Sequence, residues 1–161
     1  LESARRIRSL TKRTMRKLEN AVPTDVGRAL LSAVKRRVYP EVYPDPADLR
    51  PLLNALASET SLSDEQRGEV ESHRQAYGSQ RAELCVRMER LCLEWCDRFA
   101  AGNTEYRPSK LPEKLKPLLK QRRKLATRTV EQLEDLLGRA VLEEHHEFMP
   151  SFDSGDTDKA P

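Results

Sequence analysis

Aromatic residues make up only 5% of this chain, too few for a thick interior built on rings. Strands lack their raw material as well, because no run of Val, Ile and Thr alternates with period two between Gly-rich turns. No stretch approaches the roughly 18 apolar residues that a membrane-spanning helix needs, and there is no apolar core of a signal peptide. Nor is there a Gly-rich phosphate loop, an HExxH, a Gly-x-Ser-x-Gly or a CxxC pattern. The carboxylates are dispersed rather than sheltered in pairs for acid–base work, so no enzymatic activity is expected.

Charge, by contrast, is abundant. Asp, Glu, Lys and Arg form 34% of the sequence beside 37% hydrophobic residues, the balance of long helices with narrow apolar seams. The net charge of +3 hides four blocks: residues 1–40 carry +8, residues 41–103 carry −5, residues 104–128 carry +7 and residues 129–161 carry −7. Such blocks belong either on solvated helix faces that pair with one another or on a dedicated binding face.

The apolar periodicity is that of helices. Ile7, Leu10, Thr14, Leu18 and Val22 form one stripe, which Pro23 stops, and Leu30, Leu31, Val34 and Val38 a second, opened by Thr24 and Asp25. Residues 39–46, rich in proline, cannot be regular helix and are expected as an extended connector. A short helix over about 47–57 follows, with Pro51 tolerated only in its first turn. Ser63 stands three residues before Gln66, the spacing of a reciprocal capping box. From there Val70, His73, Tyr77, Leu84, Met88, Leu91, Trp95 and Phe99 mark a helix of about 38 residues, nearly 60 Å at about 1.5 Å per residue. After a loop with Pro108 and Pro112, Leu115, Leu118, Arg122, Leu125, Thr129, Leu133, Leu136 and Ala140 mark a second long helix. Two such rods and a short loop make an antiparallel hairpin.

A self-similarity organises the whole. Residues 10–22 and 125–137 both read Leu-x-x-Arg-Thr-x-x-x-Leu-Glu with an apolar end, and Gly27-Arg28-Ala29 matches Gly138-Arg139-Ala140. The expected fold is therefore all-α, a long antiparallel helical hairpin with additional shorter helices, built from a partial and a complete repeat unit. Residues 1–149 form one helical domain. Within it, 1–40 are the end of the first unit, 41–61 the Pro-rich connector and short helix, and 62–149 the long hairpin. Residues 150–161 form an acidic, disordered tail. The partner rod of the first unit is expected upstream of Leu1, in a longer parent protein.

The helix start Leu62-Ser63-Asp64-Glu65-Gln66, leading into a charged amphipathic hairpin, resembles the Spy/CpxP-type periplasmic proteins. Their helices open on Leu-Thr-x-x-Gln, and Ser63 stands here in place of that Thr. Leu62, Ser63 and Gln66 carry the resemblance. It implies a small cradle-shaped chaperone or a stress or heavy-metal-response protein of the periplasm or cell envelope, with a basic surface that holds unfolded or partner polypeptides. By that analogy Arg13, Arg16, Arg122, Arg123, Lys124 and Arg128 would line the client-binding face. Self-association as a homodimer is compatible with such a surface.

Two alternatives accompany this reading. The same basic helix faces could bind nucleic acid, although they lack interleaved aromatics and any compact DNA-reading motif. Cys85, Cys92 and Cys96 share one broad helix face, and Cys92 and Cys96, four apart, could grip zinc with His145 as a metal sensor. Against that, Cys85 and Cys92 flank Met88, Leu91 and Trp95 in the seam, where free cysteines serve as small apolar core residues, and Cys96 falls at its edge.

Overall fold

The computed structural model describes residues 17, 26, 33–39, 42, 43 and 45–150 of the chain. Among them there is no strand, and the fold is all-α with a long pair of helices packed together. Residues 33–38 are helical; four further helices are α1 (Arg50–Ala57), α2 (Asp64–Ala100), α3 (Leu111–Leu137) and α4 (Arg139–Glu144). Most of the N-terminal stripes, the first copy of the repeat and residues 151–161 lie outside the described residues.

Packing divides the chain into two compact units, residues 1–44 with 88–115 and residues 45–87 with 116–161. Both long helices contribute to each unit.

The capping box forms as its spacing requires. Gln66 N–H donates to Ser63 Oγ at 3.1 Å, while Ser63 N–H donates to Gln66 Oε1 at 3.0 Å. Two of the donors that a helix start leaves free are thus satisfied, and Asp64 and Glu65 add negative charge where the macrodipole is positive. At the other end of α2, Gly102 takes φ +89°; its N–H donates to Phe99 O and Asn103 N–H to Arg98 O. That pairing is a Schellman closure, which only a residue without Cβ enters cheaply.

In the second unit, α1 is short and amphipathic. Leu49, Leu52, Leu53 and Leu56 are fully buried, and they meet Val70 and Tyr77 of α2 and Ala126, Leu133 and Leu137 of α3 in one core. Each such leucine is worth about 2 kcal/mol of apolar transfer. Pro51 sits in the first turn, as expected. In the first unit, Met88, Cys92 and Trp95 of α2 are buried, as are Leu111 and Leu115 of α3. Trp95 Nε1 donates to Arg107 O at 2.9 Å, and its ring lies 4.7 Å from that of Tyr106.

Three expectations need correction. The connector turns where extended backbone was expected: Val42 N–H and Tyr43 N–H both donate to Tyr39 O, and Asp48 N–H donates to Asp45 O. The second rod does not run through to Ala140, because Gly138 at φ +81° separates α3 from α4. Phe99 is not a seam residue; it is 45% exposed. Pro117, which the periodicity does not register, lies inside α3 on its solvent side, where the N–H that would bond Glu113 O is missing.

Replacing Gly138 with Ala forces a Cβ into a backbone region that L-residues avoid, although nothing occupies the space around it. The expected loss is about 1–2 kcal/mol in urea unfolding. Gly78, inside α2 with open space around it, should gain about 0.5–1 kcal/mol from the same change, and equal effects at both positions would count against the backbone argument.

Candidate functional site

Two sets of charged side chains in the second unit serve opposite purposes. The first is buried. The Asp45 carboxylate, with 2% of its side chain exposed, lies 3.2 Å from Arg81 Nε and 3.1 Å from Arg122 Nε, whose side chains are 7% and 6% exposed. Its other oxygen accepts from Ala47 N–H at 3.2 Å, closing an Asx turn. Arg81 reaches Asp48 as well, at 3.3 Å, and Asp48 in turn pairs with Arg50. Burial pushes the Asp48 carboxyl up, but the hydrogen bond from Arg50 and the Arg81 charge outweigh it and hold the group below the ordinary carboxylate value. Burial likewise pushes the Tyr77 phenol up. The neutral hydroxyl donates to Ala47 O and accepts from Leu49 N–H, both at 3.1 Å.

Arg122 therefore does not belong to an exposed basic face. It occupies a seam position, four residues before Ala126 and seven before Thr129, both buried. Its guanidinium is accepted there because Asp45 meets it. The sequence already placed Arg122 on the apolar stripe; its partner, 77 residues earlier in the chain, had no sequence signal.

The second set is open. A groove of about 300 Å³ runs between the two long helices. From α2 it is lined by Gln80, Glu83, Leu84 and Arg87, and from α3 by Gln121, Lys124, Leu125 and Arg128, residues at helical spacings of three and four. The groove runs beside the buried seam of Tyr77 and Arg81 of α2 and Arg122, Ala126 and Leu133 of α3, and Leu125 also packs against the core that α1 covers. Leu84 and Leu125 are half-buried and form the floor; the polar and charged lining residues are exposed. Three cations and one carboxylate give the groove a charge of +2. Among the described residues no ion pair engages Arg87, Lys124 or Arg128.

The structure thus brings Lys124 and Arg128 of the expected basic face together in this groove. Arg123 is exposed but does not line it, and Arg13 and Arg16 lie outside the described residues. Arg87, Glu83 and the two glutamines were missed by sequence reasoning. The available signal was the position of Arg87, three residues after the seam residue Leu84 and so on its flank.

Among the described residues no group of three His, Cys, Asp or Glu is arranged to hold a metal ion. Cys85 and Cys92 are buried and Cys96 is exposed, as the seam assigns them. His145 lies against Glu59, Nε2 3.3 Å from the carboxylate, with no hydrogen-bond alignment between them. Glu59 is held below its ordinary value first by the Ser61 backbone N–H and then by the Ser61 side chain, with His145 a smaller contributor.

Two outcomes follow from this division of charge. Asp45→Asn removes the carboxylate shared by two buried guanidiniums and should cost about 3 kcal/mol in chemical unfolding, whereas Lys124→Ser should change stability by less than about 0.5 kcal/mol. Thiol labelling of the native chain should modify Cys96 well before Cys85 and Cys92; equal rates at all three would contradict their burial. Compared with known proteins, the chain matches no family model, no curated protein and no solved structure.

Proposed function

We propose that this chain is a non-enzymatic docking protein that binds other polypeptides through the groove between its long helices. The observation that carries this reading is the mixed chemistry of the groove. Leu84 and Leu125 offer an apolar floor, while Arg87, Lys124 and Arg128 stand around it with no ion pair among the described residues. Gln80 and Gln121 each present a donor and an acceptor, the complement of a peptide unit. A phosphate backbone fits less well, because Glu83 stands among the cations and the floor is hydrophobic. Charge in such a surface draws a partner from a distance, and apolar contact holds it.

In keeping with the resemblance of the Leu62-Ser63-Asp64-Glu65-Gln66 helix start to the Spy/CpxP-type proteins, the polypeptides would be partly unfolded clients in the cell envelope. The activity would then be chaperone-like or part of a stress response.

An aggregation assay run beside a duplex-DNA titration tests this, both at about 0.15 M salt, where exposed charges are screened beyond roughly 8 Å. The chain should slow aggregation of an unfolded acidic test protein at equimolar ratio. Arg87→Ser/Lys124→Ser/Arg128→Ser should lose most of that protection while keeping its helical circular dichroism. Tight DNA binding without an effect on aggregation would overturn the proposal.

A further inference from the structure

The C-terminal part of the second unit has the chemistry that the groove lacks. Glu144 and Glu147 are exposed there, and Phe148 is a large hydrophobic side chain left 37% exposed beside them. Glu143 is already paired with Arg139 at 2.8 Å, so the carboxylates available to a partner are Glu144 and Glu147. The sequence beyond residue 150 adds Asp153, Asp156 and Asp158. An apolar ring flanked by carboxylates matches an apolar floor flanked by Arg87, Lys124 and Arg128.

We infer that the groove of one copy of this chain receives the Phe148 end of a second copy, Phe148 against Leu84 and Leu125, Glu144 and Glu147 among the three cations. The inference rests on the reading of the groove as a polypeptide-docking surface.

Contact within one copy is ruled out by distance. His145, three residues before Phe148, lies against Glu59, just before the start of α2. Leu84 lies 20 residues along α2 from Asp64, roughly 30 Å at about 1.5 Å per residue. A rigid helix cannot fold that distance away, so an end that enters the groove comes from another molecule.

The two patches are different surfaces, which makes the contact heterologous. Each added copy leaves one groove and one end unoccupied, so association proceeds as an open head-to-tail series rather than stopping at a symmetric pair. One aromatic anchor and a few exposed charges make a small interface, so the affinity is weak and falls with salt.

Sedimentation velocity of the full chain over a rising concentration series tests the inference. Wild type should show a weight-average mass that climbs with concentration and falls back in high salt. Phe148→Ser should weaken association by about tenfold or more, as loss of a central aromatic anchor does. Glu144→Lys/Glu147→Lys and Arg87→Glu/Arg128→Glu should each stay monomeric alone, with unchanged circular dichroism. Mixed together they should associate again, because the reversed end of one variant meets the reversed groove of the other. A wild type that remains monomeric throughout the series overturns the inference, as does association that survives the groove variant or a mixture that does not recover. Protection of a test protein by a chain that never self-associates would overturn this inference while leaving the docking reading intact. Self-association through the groove with no protection of any client would keep this inference and overturn only the chaperone-like activity.

Discussion

The carboxylate of Asp45 holds two guanidiniums that would otherwise have no place inside a protein. Arg81 comes from one long helix and Arg122 from the other, and both lie on the faces that the helices turn inward. A guanidinium in that position is tolerated only when its charge and its donors are met. Asp45 meets them from the turn that leads into α1, so the same pairing that neutralises the two arginines also fixes where that turn lies against the helix pair. Tyr77 adds direction, bonding to the backbone on either side of Asp48. Leucines of α1 then fill the apolar space below. An apolar substitute of the same volume could be as stable, but it would let the turn slide, which a three-point ionic contact does not.

Covering part of the seam between two helices leaves the rest of it to other uses. The groove of Leu84 and Leu125 continues the same seam beside the part that α1 covers. Chemically alike side chains are thereby sorted into two tasks. Arg81 and Arg122 are spent on architecture, while Arg87, Lys124 and Arg128, a few residues away on the same helices, are exposed and make no ion pair among the described residues. The alternating charge blocks of the sequence are compatible with either task, and which arginine does which depends on its angle around the helix.

That distinction explains what could be read from the sequence and what could not. Local rules were legible: the Ser63–Gln66 reciprocity, the confinement of Pro51 to a first turn and the burial of Cys85 and Cys92 all follow from neighbours within four or seven positions. Arg122 was placed correctly on the stripe and wrongly on the binding face, because charge argued for exposure while register argued for burial. Only a partner far off in the chain decides between them. Gly138 was visible as part of a repeated Gly-Arg-Ala, yet a single glycine in a periodic segment is compatible with helix until its φ is known. The groove needed two helices in register, which periodicity along one strand of sequence does not supply.

The surroundings of Trp95 make it a built-in optical probe of one unit. It is the only tryptophan in the chain, its indole N–H is tied to the carbonyl of Arg107 and its ring is tilted against Tyr106, all within the first unit. The second unit contributes Tyr77 but no indole. Emission excited at the red edge of the protein band therefore reports on one unit alone, while backbone ellipticity reports on both. Comparing the two signals along a melting curve shows whether the units come apart together or in sequence, with no dye or mutation introduced.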